Sequence, residues 1–112
     1  MVTVVPAADL VIGTGRTARF EGEAYGSGVS FYLVDNDPGQ GPGLHRHPYT
    51  ETWVVRSGSA TITADGETLE ASAGDIVTVT AGTAHKFTNS GFGRLEMVCI
   101  HASPRMIQEN LD

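Results

Sequence analysis

Alternation is the feature that most constrains how this chain folds. Along most of its length apolar and polar residues alternate in short runs, and each run closes on Gly, Pro or a cluster of Asp and Asn. A period of two sends successive side chains to opposite faces of an extended strand, whereas an amphipathic helix repeats at about 3.6 residues. Twenty-eight of the 112 residues are Val, Ile or Thr, and nineteen are Gly or Pro. The first group suits a pleated surface and the second punctuates it. Many short strands at close turn-to-turn spacing predict an all-β sandwich or barrel, closed enough to leave few exposed edges.

The sharpest local signal is Ala60–Ala64 and Glu67–Ala71 flanking Asp65-Gly66. A two-residue Asp-Gly loop suits a type I′ hairpin turn, because both central residues need positive φ. That turn sets Ile62 opposite Leu69 and Ala60 opposite Ala71. Further strands are predicted over Val29–Asn36, Glu51–Ser57, Ile76–Thr80, Ala84–Asn89 and Arg94–His101, with Val29, Phe31 and Leu33 sharing one face. Val2–Val5, Leu10–Ile12 and Thr17–Ala24 are weaker β-prone runs. One stretch reads as a short C-terminal helix, Pro104–Leu111: Pro104 suits a first turn, and Met106, Ile107 and Leu111 make an apolar side.

Charge and cysteine usage narrow the function classes. Thirteen acidic residues against seven basic ones give a net charge of −6, and Lys86 is the only Lys. Nucleic acid and anionic membranes both favour a basic face, so neither is an expected partner. Cys99 is the only cysteine, which excludes an intrachain disulfide and a cysteine-based zinc site. No run reaches the eighteen or so apolar residues of a membrane helix, and MVTVVPAADL has no secretory signal character. The expectation is one cytoplasmic domain spanning residues 1–112.

His45 and His47 stand at i and i+2, and Glu51 follows four residues later with the same parity. On a regular strand all three face one side. His85 follows the Ala81-Gly82-Thr83 turn, and a barrel can bring it beside them. Imidazole and carboxylate both suit divalent first-row metals. Three neutral nitrogens and one carboxylate also leave open positions on a five- or six-coordinate ion, as catalysis requires. Surface histidines beside a Gly/Pro loop and a solvated Glu51 account for the same letters, so spacing alone leaves both readings open.

The wider context is more specific. Gly39, His45, His47, Glu51 and Gly58 fit G-x5-HxH-x3-E-x6-G. Gly74, Gly82, His85 and Asn89 fit G-x5-P-x-G-x2-H-x3-N, with Thr80 in place of the proline. Both motifs closely resemble those of the cupin family, and the compact segment between them resembles that of small microbial cupins. The resemblance covers about half the chain. It implies a jelly-roll-like double-stranded β-helix. It also implies that His45, His47, Glu51 and His85 hold one divalent transition metal, with Fe, Mn, Ni, Zn and Cu all compatible. Similarity to other single-domain cupins further implies a homodimer.

Other residues have two readings each. His101 shares parity with Leu95, Met97 and Cys99, so it is either an acid/base or substrate contact near the metal or, more commonly for such a residue, a strand-end histidine at the rim or in a dimer contact. Trp53, Val55, Tyr32, Phe31, Phe87 and Met97 are candidates for a cavity wall or for an ordinary core. Arg46 should point away from the ligands, and Arg56 and Arg105 carry no substrate signal. Cys99 reads as a buried apolar residue, and Asn89 as a turn residue or one that hydrogen-bonds behind the ligands, not as a ligand. The function expected is a metal-dependent enzyme acting on a small organic molecule, either a dioxygenase or a Lewis-acid isomerase or cyclase. Glu51 and His101 are then its catalytic candidates. The alternative is a barrel that binds or senses a metabolite without turning it over.

Overall fold

The Asp65-Gly66 turn forms with both residues at positive φ, +49° and +79°. In the computed structural model, which describes residues 1–112, the hairpin it closes pairs Ile62 with Leu69 and Ala60 with Ala71. Ten strands follow the alternation. They are β1 (Ala18–Phe20), β2 (Ser30–Asn36), β3 (His45–Arg46), β4 (Glu51–Ser57), β5 (Ser59–Ala64), β6 (Glu67–Ser72), β7 (Ile76–Val79), β8 (His85–Asn89), β9 (Leu95–His101) and β10 (Glu109–Asn110). They build two five-stranded antiparallel sheets, ordered β1-β2-β9-β4-β7 and β10-β3-β8-β5-β6. This is a jelly-roll-like β-sandwich.

Period-two burial decides which side chains meet between the sheets. On β9 Leu95, Met97, Cys99 and His101 are buried while Glu96 is exposed, and on β4 Glu51, Trp53 and Val55 are buried. Ala60 and Ile62 of β5 and Phe87 of β8 complete the apolar centre from the other sheet. On β2 the inward face is Ser30, Tyr32 and Val34, not the one carrying Phe31 and Leu33. Phe31 instead stacks on Phe20 with ring centroids 4.7 Å apart, so it is not a cavity wall.

A register shift between Val55 and Ser57 extrudes Arg56 and delivers the chain to Gly58 at φ +83°. A Cβ at Gly58 would lie 2.5 Å from the carbonyl oxygen of Arg94, so this corner needs glycine for space as well as conformation.

Two expected segments differ. Val2–Val5 forms no strand, Leu10 ends a 3-10 turn over Ala7–Leu10, Val11 makes a single bridge to Ala18, and the later half of Thr17–Ala24 enters a second 3-10 turn at Gly22–Tyr25. The helix expected over Pro104–Leu111 does not form. Its backbone groups find distant partners instead of i−4 carbonyls. Glu23 N–H donates to Pro104 O, Met106 N–H to Glu21 Oε2, Ile107 N–H to Tyr49 Oη and Leu111 N–H to Leu44 O. The segment ends as β10, paired to β3 through Glu109–Arg46 and Asn110–His45. No helix is long and apolar enough to cross a membrane.

Candidate metal centre

Both sheets supply the centre. β3 carries His45 and leads into His47, and β8 begins with His85, which sits directly across from His45. β4 begins with Glu51 and β9 ends with His101, again opposite one another. The amide of Gly82 donates to His47 O at 2.8 Å, which ties the turn before His85 to the backbone of the second histidine. Thr80, in the proline position, keeps that turn: its carbonyl accepts Thr83 N–H at 3.1 Å and the two hydroxyls lie 2.9 Å apart.

His45, His47, Glu51 and His85 are all buried, and one nitrogen or oxygen from each lies within 4.8 Å of the others, so the four form a group able to hold a metal ion. Their hydrogen bonds prepare them for it. The Nδ1–H of His45 donates to Gly43 O, that of His47 to Ile107 O and that of His85 to Thr83 O, each at 2.7 Å. With Nδ1 carrying the proton, the neutral ring turns its Nε2 lone pair inward. His47 and His85 each place Nε2 3.3 Å from Glu51 Oε1. His47 Nε2 is buried with no hydrogen-bond partner, a deficit that a cation would remove. The donor set therefore fits a divalent transition metal.

Electrostatics agree. Burial alone would raise the Glu51 carboxyl, but its contacts with His101, His47 and His85 outweigh that and hold it far below the carboxylate range, so it stays an anion. Trp53, fully buried, donates its Nε1–H to Glu51 Oε2 at 2.7 Å. Burial lowers His45 towards its neutral form. For His85 burial acts in the same direction, but the contact with Glu51 and the bond to Thr83 O together raise it. Burial raises the Cys99 thiol, which keeps it neutral and unreactive.

His101 does not sit at a solvated rim. It is 1 % exposed, and its Nε2 lies 3.2 Å from Glu51 Oε2 but out of line for a hydrogen bond, so that atom is orphaned. Its Nδ1 lies 2.6 Å from the hydroxyl of Tyr49, whose ring stacks on His47. Tyr49 is the residue the sequence reading passed over. The parity that groups His45, His47 and Glu51 includes position 49, and that signal was available.

A cavity of about 600 Å³ opens onto this group. Tyr32, Val34, Phe87 and Cys99 form part of its wall, and Arg16, Gln40 and Gln108 stand among its polar lining. Trp53, Val55 and Met97 belong to the core instead. Arg16 is the only Lys or Arg at the cavity, and it is engaged by Asp35 at 3.2 Å and Asp37 at 2.6 Å. Arg46 points away, as expected, and pairs with Glu109 through two bonds of 2.9 and 3.0 Å. Arg105 reaches only Glu23, at 3.9 Å. Asn89 is a turn residue: it donates to Asn36 O and Gly93 O and accepts Gly91 N–H.

Comparison with known proteins agrees with this architecture. The family model described as Cupin domain matches residues 32–101, which contain the four-residue group and His101. No curated protein matches the chain. Among solved structures, a mutant of Bacillus subtilis oxalate decarboxylase superposes with a TM-score of 0.76 at 25% identity, over 85% of this chain and 27% of that one. A structure of the same enzyme concerned with its Mn(II) centres gives 0.75 at 24% identity over the same shares. An oxalate oxidase gives 0.74 at 22% identity, over 85% of this chain and 54% of the other. The chain thus spans about a quarter of the first enzyme and about half of the second.

Proposed function

The chain belongs to the cupin family, and on that premise we propose that it is a divalent-metal-dependent enzyme acting on a small organic molecule, with His45, His47, Glu51 and His85 as ligands. The observation that carries the reading is His101. Its Nε2 is buried, lacks a partner, and sits at the wall of the cavity beside the ligand group. A buried, unpartnered imidazole nitrogen at that spot is placed to move a proton between neighbouring substrate atoms.

A bound divalent ion would polarise a carbonyl or enediol oxygen of the substrate. The protein's part follows from geometry. Val34, Phe87 and Cys99 present apolar surface that displaces water from the substrate. Glu51 stays anionic and is anchored by Trp53, so it balances charge without wandering. His101 would pass its Nε2 proton to one substrate atom as Nδ1 takes the proton of the Tyr49 hydroxyl at 2.6 Å, and a proton from the neighbouring substrate atom would return through Nε2 to restore both residues. That suits a Lewis-acid isomerase or cyclase. With Arg16 already engaged by two carboxylates, a neutral or singly charged substrate fits better than a dianion.

A second reading, oxygen chemistry of the dioxygenase type, draws on the likeness in fold to an oxalate oxidase. The deciding experiment is elemental analysis of natively purified protein, followed by turnover and oxygen-uptake assays across hydroxyketones, diketones, flavonols and small thiols. Isomerisation without oxygen uptake supports the first reading. Oxygen consumption moves the assignment to the second, and tight ligand retention without turnover leaves a binding module. A homodimer and a cytoplasmic location belong to the same proposal, tested by sedimentation velocity and cell fractionation.

A further inference from the structure

One residue outside the motifs acts on two of the site's histidines, on His47 directly and on His101 through Tyr49. The carbonyl of Ile107 accepts the Nδ1–H of His47 at 2.7 Å. The amide N–H of the same residue donates to the Tyr49 hydroxyl at 3.2 Å, and that hydroxyl lies 2.6 Å from His101 Nδ1. Ile107 is itself 45% exposed and lies in the stretch expected to be helical, some 60 residues from His47.

The directions of these bonds follow from counting donors and acceptors. A carbonyl only accepts, so His47 carries its proton on Nδ1 and offers the Nε2 lone pair. The Tyr49 oxygen already accepts from Ile107, and its single O–H has His101 Nδ1 as its partner. His101 Nδ1 is then the acceptor, and its proton sits on Nε2. The reverse arrangement leaves the tyrosine proton without an acceptor. The two backbone polar groups of this one residue therefore make His47 a ligand and, through Tyr49, make His101 a donor.

We propose that Ile107 and Tyr49 are positioning residues of the metal centre: the docked 104–112 segment sets the tautomers of His47 and His101, and so keeps His101 from becoming a fifth protein ligand. The segment is held for this task by contacts that avoid the site. Glu109 grips Arg46 through two bonds, Leu111 N–H donates to Leu44 O, and Asp112 accepts Leu44 N–H. The inference rests on the ligand reading of His47 and the donor reading of His101. Its test uses the full metal-free chain, so its failure is distinct from a failure of metal binding or turnover.

Imidazole tautomers are read from ¹⁵N shifts and long-range ¹H–¹⁵N correlations in mildly alkaline buffer. In the unsubstituted protein His45, His47 and His85 show Nδ1–H and His101 shows Nε2–H. Tyr49→Phe removes the hydroxyl and leaves the Ile107 carbonyl, so His101 departs from pure Nε2–H while His47 stays. Ile107→Pro keeps the carbonyl and removes the N–H, so His101 again departs. Where the proline also dislodges the carbonyl, His47 changes too and Zn(II) binding weakens by about 10- to 100-fold. Nδ1–H on His101 in the unsubstituted protein, or an unchanged His101 in Tyr49→Phe, overturns the proposal. So does Ile107→Pro that leaves both rings and Zn(II) affinity as they were.

Discussion

Trp53 donates its indole Nε1–H to Glu51 Oε2 at 2.7 Å, with both residues on the inward face of the same strand. The largest fully buried side chain of the core is thereby coupled to the only carboxylate of the metal group. Trp53→Phe keeps most of the apolar volume and removes the donor. A hydrogen bond to a charged group contributes about 1.5–3 kcal/mol, so the variant loses about 2 kcal/mol in urea denaturation of the metal-free protein. It also binds Zn(II) more weakly, by about tenfold or more, in competition with a chelating dye.

His47→Ala and His85→Ala each lose stoichiometric metal after dialysis, measured by elemental analysis. Arg56→Ala, on the outward bulge of β4, retains it. Full retention by both histidine variants would show that the ligand set is wrong.

Glycines at positive φ separate conformational strain from steric conflict. Gly39, at φ +84°, has nothing within 4 Å of an added Cβ, so Gly39→Ala meets only the left-handed penalty of about 1–2 kcal/mol. At Gly58 the methyl also meets a backbone oxygen at 2.5 Å, and Gly58→Ala destabilises by about 2–4 kcal/mol in the same denaturation assay. Equal costs at the two positions would contradict the packing described at the β4–β5 corner.

Asp35 gives a pH signature separate from the metal-ligand set. Its bond from Arg94 holds the carboxyl below its usual range, burial opposes this, and Arg16 adds to the lowering. A depressed carboxylate stabilises the fold above its unfolded pKa, near about 4. That contribution disappears as pH falls through the lower folded value. Asp35→Asn is therefore less stable than the parent at neutral pH, and the gap closes on acidification. Added salt narrows it as well, because both arginines are exposed.

What the sequence disclosed was set by range. The Asp65-Gly66 hairpin and its register are local, and they formed as the residues indicate. Parity placed Leu95, Met97, Cys99 and His101 on one inward face of β9. Parity does not say which strand lies alongside, so the pairing that sets His101 next to Glu51 had no linear signal. The β2 face was ambiguous for a related reason: Phe31 and Leu33 are as apolar as a core face, yet Phe31 packs on Phe20 outside the sandwich. Pro104–Leu111 has helical spacing, but its backbone is satisfied by Glu21, Glu23, Leu44 and Tyr49, all distant in the chain.

The centre draws Glu51 from one sheet and His45 and His85 from the other. A cation bound there would rivet the two halves of the sandwich, and neither half could peel away without releasing it. Heat denaturation then becomes a gauge of metal occupancy. Above the dissociation constant, each tenfold rise in free metal adds about 1.4 kcal/mol to stability if the unfolded chain does not bind it. The melting temperature, ranked across candidate metals at equal concentration, would therefore order their affinities before any substrate is known.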